Sequence, residues 1–147
     1  MNAYAAALRA LAAQRLTELQ LRRKLERKGH ADDEISSAVA RCKGEGFVDD
    51  RLFAQLYVER KQKAVGDARL VAELVRKGID RDAAAIAVSN GSSDESSRVE
   101  AALAKIVRTK PRAGYGSLAR ALERLGFPAS RIYTALRSYA ATACHPE

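Results

Sequence analysis

Tryptophan is absent from this chain, and aromatic residues make up only 5% of its 147 residues. With so few rings suited to base stacking, sequence-specific reading of single-stranded nucleic acid is not expected. There are only three prolines, and no alternating apolar/polar run of useful length. Ala and Leu dominate instead, so an all-α fold is expected and a sandwich of strands is excluded. Cys42 and Cys144 stand far apart, and neither belongs to a CxxC or Cys/His cluster. No zinc or other metal site is expected, and free thiols fit a reducing compartment. No segment is long and apolar enough to span a bilayer. The start, Met1-Asn2-Ala3-Tyr4, lacks a basic n-region, and Arg9 interrupts the Ala/Leu run that follows, so neither a signal peptide nor membrane attachment is expected and the location should be cytoplasmic.

Catalytic signatures are missing as well. The chain has no Gly-Lys-Ser/Thr phosphate loop, no His-Glu-x-x-His and no Gly-x-Ser-x-Gly,. His30 follows a helix-ending glycine, where packing is the better reading, and His145 lies in the tail. Asp32-Asp33 and Asp49-Asp50 sit at helix starts, where the helix dipole accounts for them. No enzyme activity and no cofactor are expected.

What the chain does contain is one pattern written three times. Leu25-Glu-Arg-Lys-Gly29-His30, Leu74-Val-Arg-Lys-Gly78-Ile79 and Leu122-Glu-Arg-Leu-Gly126-Phe127 align at offsets of 49 and 48 residues. Leu21, Leu70 and Leu118 stand four residues earlier, and Val39, Val88 and Leu136 fourteen later. Leucines at i and i+4 give one apolar helical stripe. A glycine just past the last turn closes the helix, and the residue after it packs back. Thr17-Glu-Leu-Gln20 reads as a capping box, and Gly66-Asp67 and Gly114-Tyr-Gly116-Ser117 mark the same helix start. Asp80 is an N-cap candidate, Ala31 a poor one, and Pro128 suits a first helical turn.

A leading helix precedes each pair. The first runs from Tyr4 to Leu11. The second starts at Asp49-Asp50 and buries Phe53, Leu56 and Tyr57. The third follows a linker, Asn90 to Ser97, and runs through Val99, Leu103 and Ile106. The expectation is about nine helices in three tandem three-helix repeats, 1–46, 47–91 and 92–147, forming an elongated, curved array.

Net charge is +8, and residues 98–147 carry 9 basic and 3 acidic side chains. A basic surface draws polyanions, so nucleic acid is the first partner to consider. The register sharpens this, because Arg27, Arg76 and Arg124 share one position, two residues past the core Leu and off the buried face. Regular stacking would align them in a column. Nearby are Arg22, Arg23, Lys77 and Arg120, with a second group at Lys63 and Arg69 and a third at Arg108, Lys110 and Arg112. Guanidinium groups pair well with phosphates and carboxylates. Compensation of the helix dipole accounts equally well for the cations at helix C-termini. Any DNA affinity should be backbone-directed and salt-sensitive.

The stretch Gly46-Phe-Val-Asp-Asp50-Arg-Leu-Phe53-Ala54, with Lys63-Ala-Val-Gly66-Asp-Ala-Arg69-Leu70 and Glu73-Leu74-Val-Arg-Lys77-Gly78-Ile79, resembles the RecX family of regulatory proteins. The elements Leu25 to Gly29 and Leu122 to Phe127 extend the likeness over nearly the whole chain. The resemblance implies three tandem three-helix repeats in a cytoplasmic, non-catalytic protein that modulates the RecA recombinase. It further implies binding along the groove of the RecA–DNA filament, where growth, ATP hydrolysis and strand exchange are suppressed. The partners expected are the RecA filament and, weakly, single- and double-stranded DNA, with the chain itself a monomer. The alternatives are a sequence-independent DNA-binding module that needs no RecA, and a helical adaptor for another protein.

Overall fold

The computed structural model describes residues 1–62, 65–91 and 94–143. Lys63, Cys144, His145 and the Ser92-Ser93 pair of the expected linker lie outside the described residues. Among the described residues there are nine helices and no strand. In chain order they are α1 (Ala3–Ala13), α2 (Glu18–Arg27), α3 (Asp32–Gly44), α4 (Asp50–Lys61), α5 (Asp67–Arg76), α6 (Arg81–Ser89), α7 (Glu95–Thr109), α8 (Tyr115–Arg124) and α9 (Ala129–Ala143).

The repeated motif closes α2, α5 and α8 in the same way. The backbone N–H groups of His30, Ile79 and Phe127 donate back to the carbonyls of Leu25, Leu74 and Leu122, at 3.3, 3.0 and 3.3 Å. This is the Schellman closure, which needs a left-handed residue between. Gly29, Gly78 and Gly126 supply it, with φ of 87°, 106° and 93°. The leucines ahead of the turn are fully buried. Thr17 forms the expected capping box with Gln20, Asp80 accepts from Asp82 N–H and Ala83 N–H, and Ala31 gives no side-chain cap while three acids fill the first turn of α3.

Two compact units result, one of residues 1–57 and 74–87, the other of 58–73 and 88–147. The first is cored by the alanine face of α1 (Ala3, Ala6, Ala7, Ala10) against Leu21, Leu25, Ile35, Val39 and Cys42. Burial pushes the Cys42 thiol pKa up. The second is cored by Val99, Leu103, Leu118, Leu122, Phe127 and Ile132.

Inside each unit the start of a motif helix meets the end of the next one, and the two junctions are built alike. In the first unit Thr17 Oγ1 donates to the Lys77 carbonyl (2.6 Å), and Glu18 N–H donates to Asp50 Oδ1 (2.9 Å). In the second, Gly66 N–H donates to the Leu125 carbonyl (2.7 Å), and Asp67 N–H donates to Glu95 Oε2 (2.9 Å). Thr17 and Gly66 are one register position; so are Lys77 and Leu125. The approach is close, since a Cβ on Gly126 would stand 2.3 Å from Arg69 Cβ and one on Gly78 2.5 Å from Leu19 Cβ.

Two expectations need correction. The buried face of α4 is Ala54, Tyr57 and Val58, whereas Leu56 is 38% exposed. Small Ala54 faces inward, so the stripe lies one residue further round than Phe53, Leu56, Tyr57. The linker is also shorter than Asn90 to Ser97, because Asp94 accepts from Ser96 N–H and α7 already begins at Glu95.

Candidate polyanion-binding surface

The last turn of a motif helix projects its solvent-facing side chains beside the glycine closure. Arg27, Arg76 and Arg124 lie there, in the last turns of α2, α5 and α8, and all three are exposed. Among the described residues none of these guanidinium groups has an ion-pair or hydrogen-bond partner. Each therefore offers all five N–H donors, in the fork that suits a phosphate or carboxylate. The same placement favours the negative helix end, so dipole compensation is also realised here.

The other expected cations are placed unevenly. Arg23, Arg108, Lys110, Arg112 and Arg120 are exposed. Arg22 is half-buried and donates to Ser36 Oγ (3.1 Å). Lys77 holds its ammonium 5.5 Å from the Tyr57 ring centroid, and its carbonyl serves the first junction. Arg69 is engaged twice, by Glu73 (3.0 Å) and by the Arg124 carbonyl (3.1 Å). That brings Arg69 and Arg124 together and leaves Arg69 a joint of the second unit more than an open donor. Lys63 lies outside the described residues.

One cation counted in the C-terminal excess is not on the surface. Arg98 is 4% exposed, donating to the Val65 carbonyl (2.8 Å) and pairing with Asp67. It holds the loop ahead of α5 against α7. Beyond it, every Lys and Arg from Lys105 to Arg137 is exposed. Sequence reasoning also passed over two tyrosines, since Tyr115 is 51% and Tyr133 64% exposed. Tyr115 meets Tyr139 edge-on at 6.1 Å between centroids, and the Arg137 guanidinium lies 4.7 Å over the Tyr133 ring. Composition hid them because few aromatics in total says nothing of how many face outward.

His30 packs at the glycine turn, 3.9 Å from Glu34. Among the described residues no group of three or more His, Cys, Asp or Glu is placed to hold a metal ion, and no helix is long and apolar enough to cross a membrane.

Comparison with known proteins bears on this architecture directly. The model of the first three-helix domain of RecX matches residues 3–42, and that of the second matches residues 49–88. A Regulatory protein RecX of Thermus thermophilus is 34% identical over 127 residues, covering 86% of this chain and 84% of its own. That of Amycolatopsis mediterranei is 32% identical over 134 residues, covering 86% of this chain and 77% of its own. The crystal structure of RecX from Lactobacillus salivarius superposes with a TM-score of 0.78 at 22% identity, over 92% of this chain and 93% of that one. With tandem three-helix units matched by family models and close relatives over most of its length, this chain belongs to the RecX family of regulatory proteins.

Proposed function

We propose that the protein binds the filament formed by the RecA recombinase on DNA and restrains its extension, ATP hydrolysis and strand exchange, modulating recombination and repair. It does so by binding, without catalysis or cofactor, as a cytoplasmic monomer of three repeats, 1–46, 47–91 and 92–147. The observation that carries this reading is the recurrence of one exposed, uncommitted guanidinium at Arg27, Arg76 and Arg124. A polymeric target repeats its own surface, so several weak identical contacts on one chain add through effective concentration. Arg23, Arg108, Lys110, Arg112 and Arg120 supply further contacts to DNA phosphate or acidic protein surface, which makes the DNA component weak, backbone-directed and salt-sensitive. The test is single-strand-dependent ATP hydrolysis by RecA with this protein added below stoichiometry. Inhibition is expected, and no inhibition at any ratio refutes the reading.

A second reading, direct DNA binding that needs no recombinase, is favoured by the exposure of every Lys and Arg from Lys105 to Arg137, with a single acid among them. Filter binding across a salt series, with and without RecA, separates the two. Much tighter capture by the filament supports the first, and equal capture supports the second.

A further inference from the structure

We propose that the groove between α8 and α9 receives a base of a single-stranded polynucleotide, with Tyr133 as its stacking platform. The groove holds about 370 Å³ and is walled by Phe127, Ile132, Tyr133, Leu136, Ala119 and Glu123. It is open to solvent, mainly apolar, and edged by the most exposed aromatic ring among the described residues.

The fold does not call for that ring. In the register of the repeats Tyr133 corresponds to Ala85 and Ser36, and both of those positions are exposed. A core demand would place apolar side chains at all three, as it does at Leu136, Val88 and Val39. A lone exposed tyrosine beside an apolar groove presents a large, stiff π-face at little entropic cost. Arg137 lies over one face of the ring at 4.7 Å, which fixes the ring and adds a positive charge at the groove edge.

Charge selects the occupant. Between Lys105 and Arg137 the chain exposes every Lys and Arg, with Glu123 the one acid in that interval. The cation that the structure places at the groove is Arg137, over the Tyr133 ring in its wall, while Arg120 and Arg124 are exposed elsewhere on α8. The Glu123 carboxylate in the wall repels phosphate, so the base enters and the phosphates stay outside, on the side of Arg137. A duplex keeps its base faces stacked and presents phosphates and base edges, whereas a single strand offers a free base face and phosphates at once. The site therefore distinguishes single strand from duplex, which a cationic surface alone does weakly. It reads base shape and not sequence, and it operates without a recombinase.

The experiment is fluorescence anisotropy with the full chain, no RecA, and three labelled probes at fixed salt: an oligo(dT) 20-mer, the same backbone with abasic sites, and a 20-bp duplex. Removing a stacking ring typically weakens single-strand binding roughly 5- to 150-fold, so Tyr133→Ala is expected to do so on oligo(dT). Tyr133→Phe keeps the π-face and should stay within about twofold. Neither substitution should move affinity for the abasic strand or the duplex. Because Tyr133 is exposed, circular dichroism should show both variants folded. Wild-type affinity of Tyr133→Ala for oligo(dT), or an equal loss on all three probes, overturns the proposal. A failure of the filament reading, by contrast, leaves these RecA-free measurements untouched.

Discussion

Adding a single methyl group at the glycines of the motif should separate backbone strain from close packing at the junctions. Gly29→Ala places a Cβ at φ 87° with nothing within 4 Å, so only the left-handed penalty applies, about 1–2 kcal/mol. Gly66→Ala is the converse: its backbone lies outside the left-handed region, but the new Cβ falls 2.3 Å from the Gly126 carbonyl oxygen. That is backbone against backbone, so α5 must shift away from the turn, at an overpacking cost of about 1–3 kcal/mol. Gly126→Ala carries both burdens, at φ 93° with Arg69 Cβ at 2.3 Å and Arg69 N at 2.6 Å, for a total of about 2–5 kcal/mol. Against a whole-domain stability of about 5–15 kcal/mol, the last is severe. Urea unfolding followed by circular dichroism at constant m reads the differences. The expected order is Gly126→Ala worst, with Gly66→Ala and Gly29→Ala each milder. The Gly66/Gly126 double variant should cost less than the sum, because one displacement relieves both clashes. Equal losses at Gly29 and Gly126 would refute the junction, since strain alone would then explain the motif.

Reversing Arg27, Arg76 and Arg124 to Glu should leave helicity intact and sharply reduce inhibition of RecA ATP hydrolysis; unchanged inhibition would reduce the three to dipole compensation. Arg98→Ala should cost about 2–3 kcal/mol by urea titration, below the usual toll for breaking a buried pair because the Asp67 side chain is 43% exposed and resolvates,; Arg98→Met should be milder. Burial and the neighbouring Glu18 charge push the Asp50 carboxyl pKa up, although it accepts from Glu18 N–H. A carboxyl raised in the folded state disfavours folding while ionised, and that penalty fades as pH falls through its folded pKa. Asp50→Asn, which keeps the acceptor, should therefore be neutral or slightly stabilising at pH 7, with its advantage shrinking in acid, whereas Asp50→Ala should lose about 0.5–2 kcal/mol of capping. Cys42, fully buried, should resist alkylation at pH 8 until denaturant is added, as peptide mass spectrometry would show.

Local sequence code made much of this legible. Thr17-Glu-Leu-Gln20 specified its capping box, and each Leu-to-Gly spacing specified a helix end, because these features are satisfied within a few residues. The face of α4 was not legible, since Leu52, Phe53, Ala54, Leu56, Tyr57 and Val58 are nearly all apolar and several stripes have equal periodicity. The neighbours of α4 choose among them. Arg98 was missed because a charge tally assumes that charges face water. A signal did exist, as Arg98 stands in the register of Asp50 and Asp67 in that of Glu18. The carboxylate that meets the motif-helix start comes from Asp50 in one junction and from Glu95 in the other, with Arg98 beside it.

In a tandem protein the register itself sorts positions by cause. A residue repeated because packing requires it is buried each time, as Leu25, Leu74 and Leu122 are. A residue repeated although exposed each time, as Arg27, Arg76 and Arg124 are, answers either to the helix end or to a target that itself repeats. A residue that breaks the register outward, as Tyr133 does against Ser36 and Ala85, answers to neither the core nor a repeating partner. The same logic applies at the motif-helix starts. Glu18 and Asp67 open α2 and α5, and both take part in a junction, while Tyr115 opens α8 with its ring half in solvent and no acid in the first turn. The third copy thus carries a ring where the other two carry an acid that would repel phosphate. Tyr115 and Tyr133 both add an exposed ring to the α8–α9 pair, within the stretch from Lys105 to Arg137 that carries a single acid.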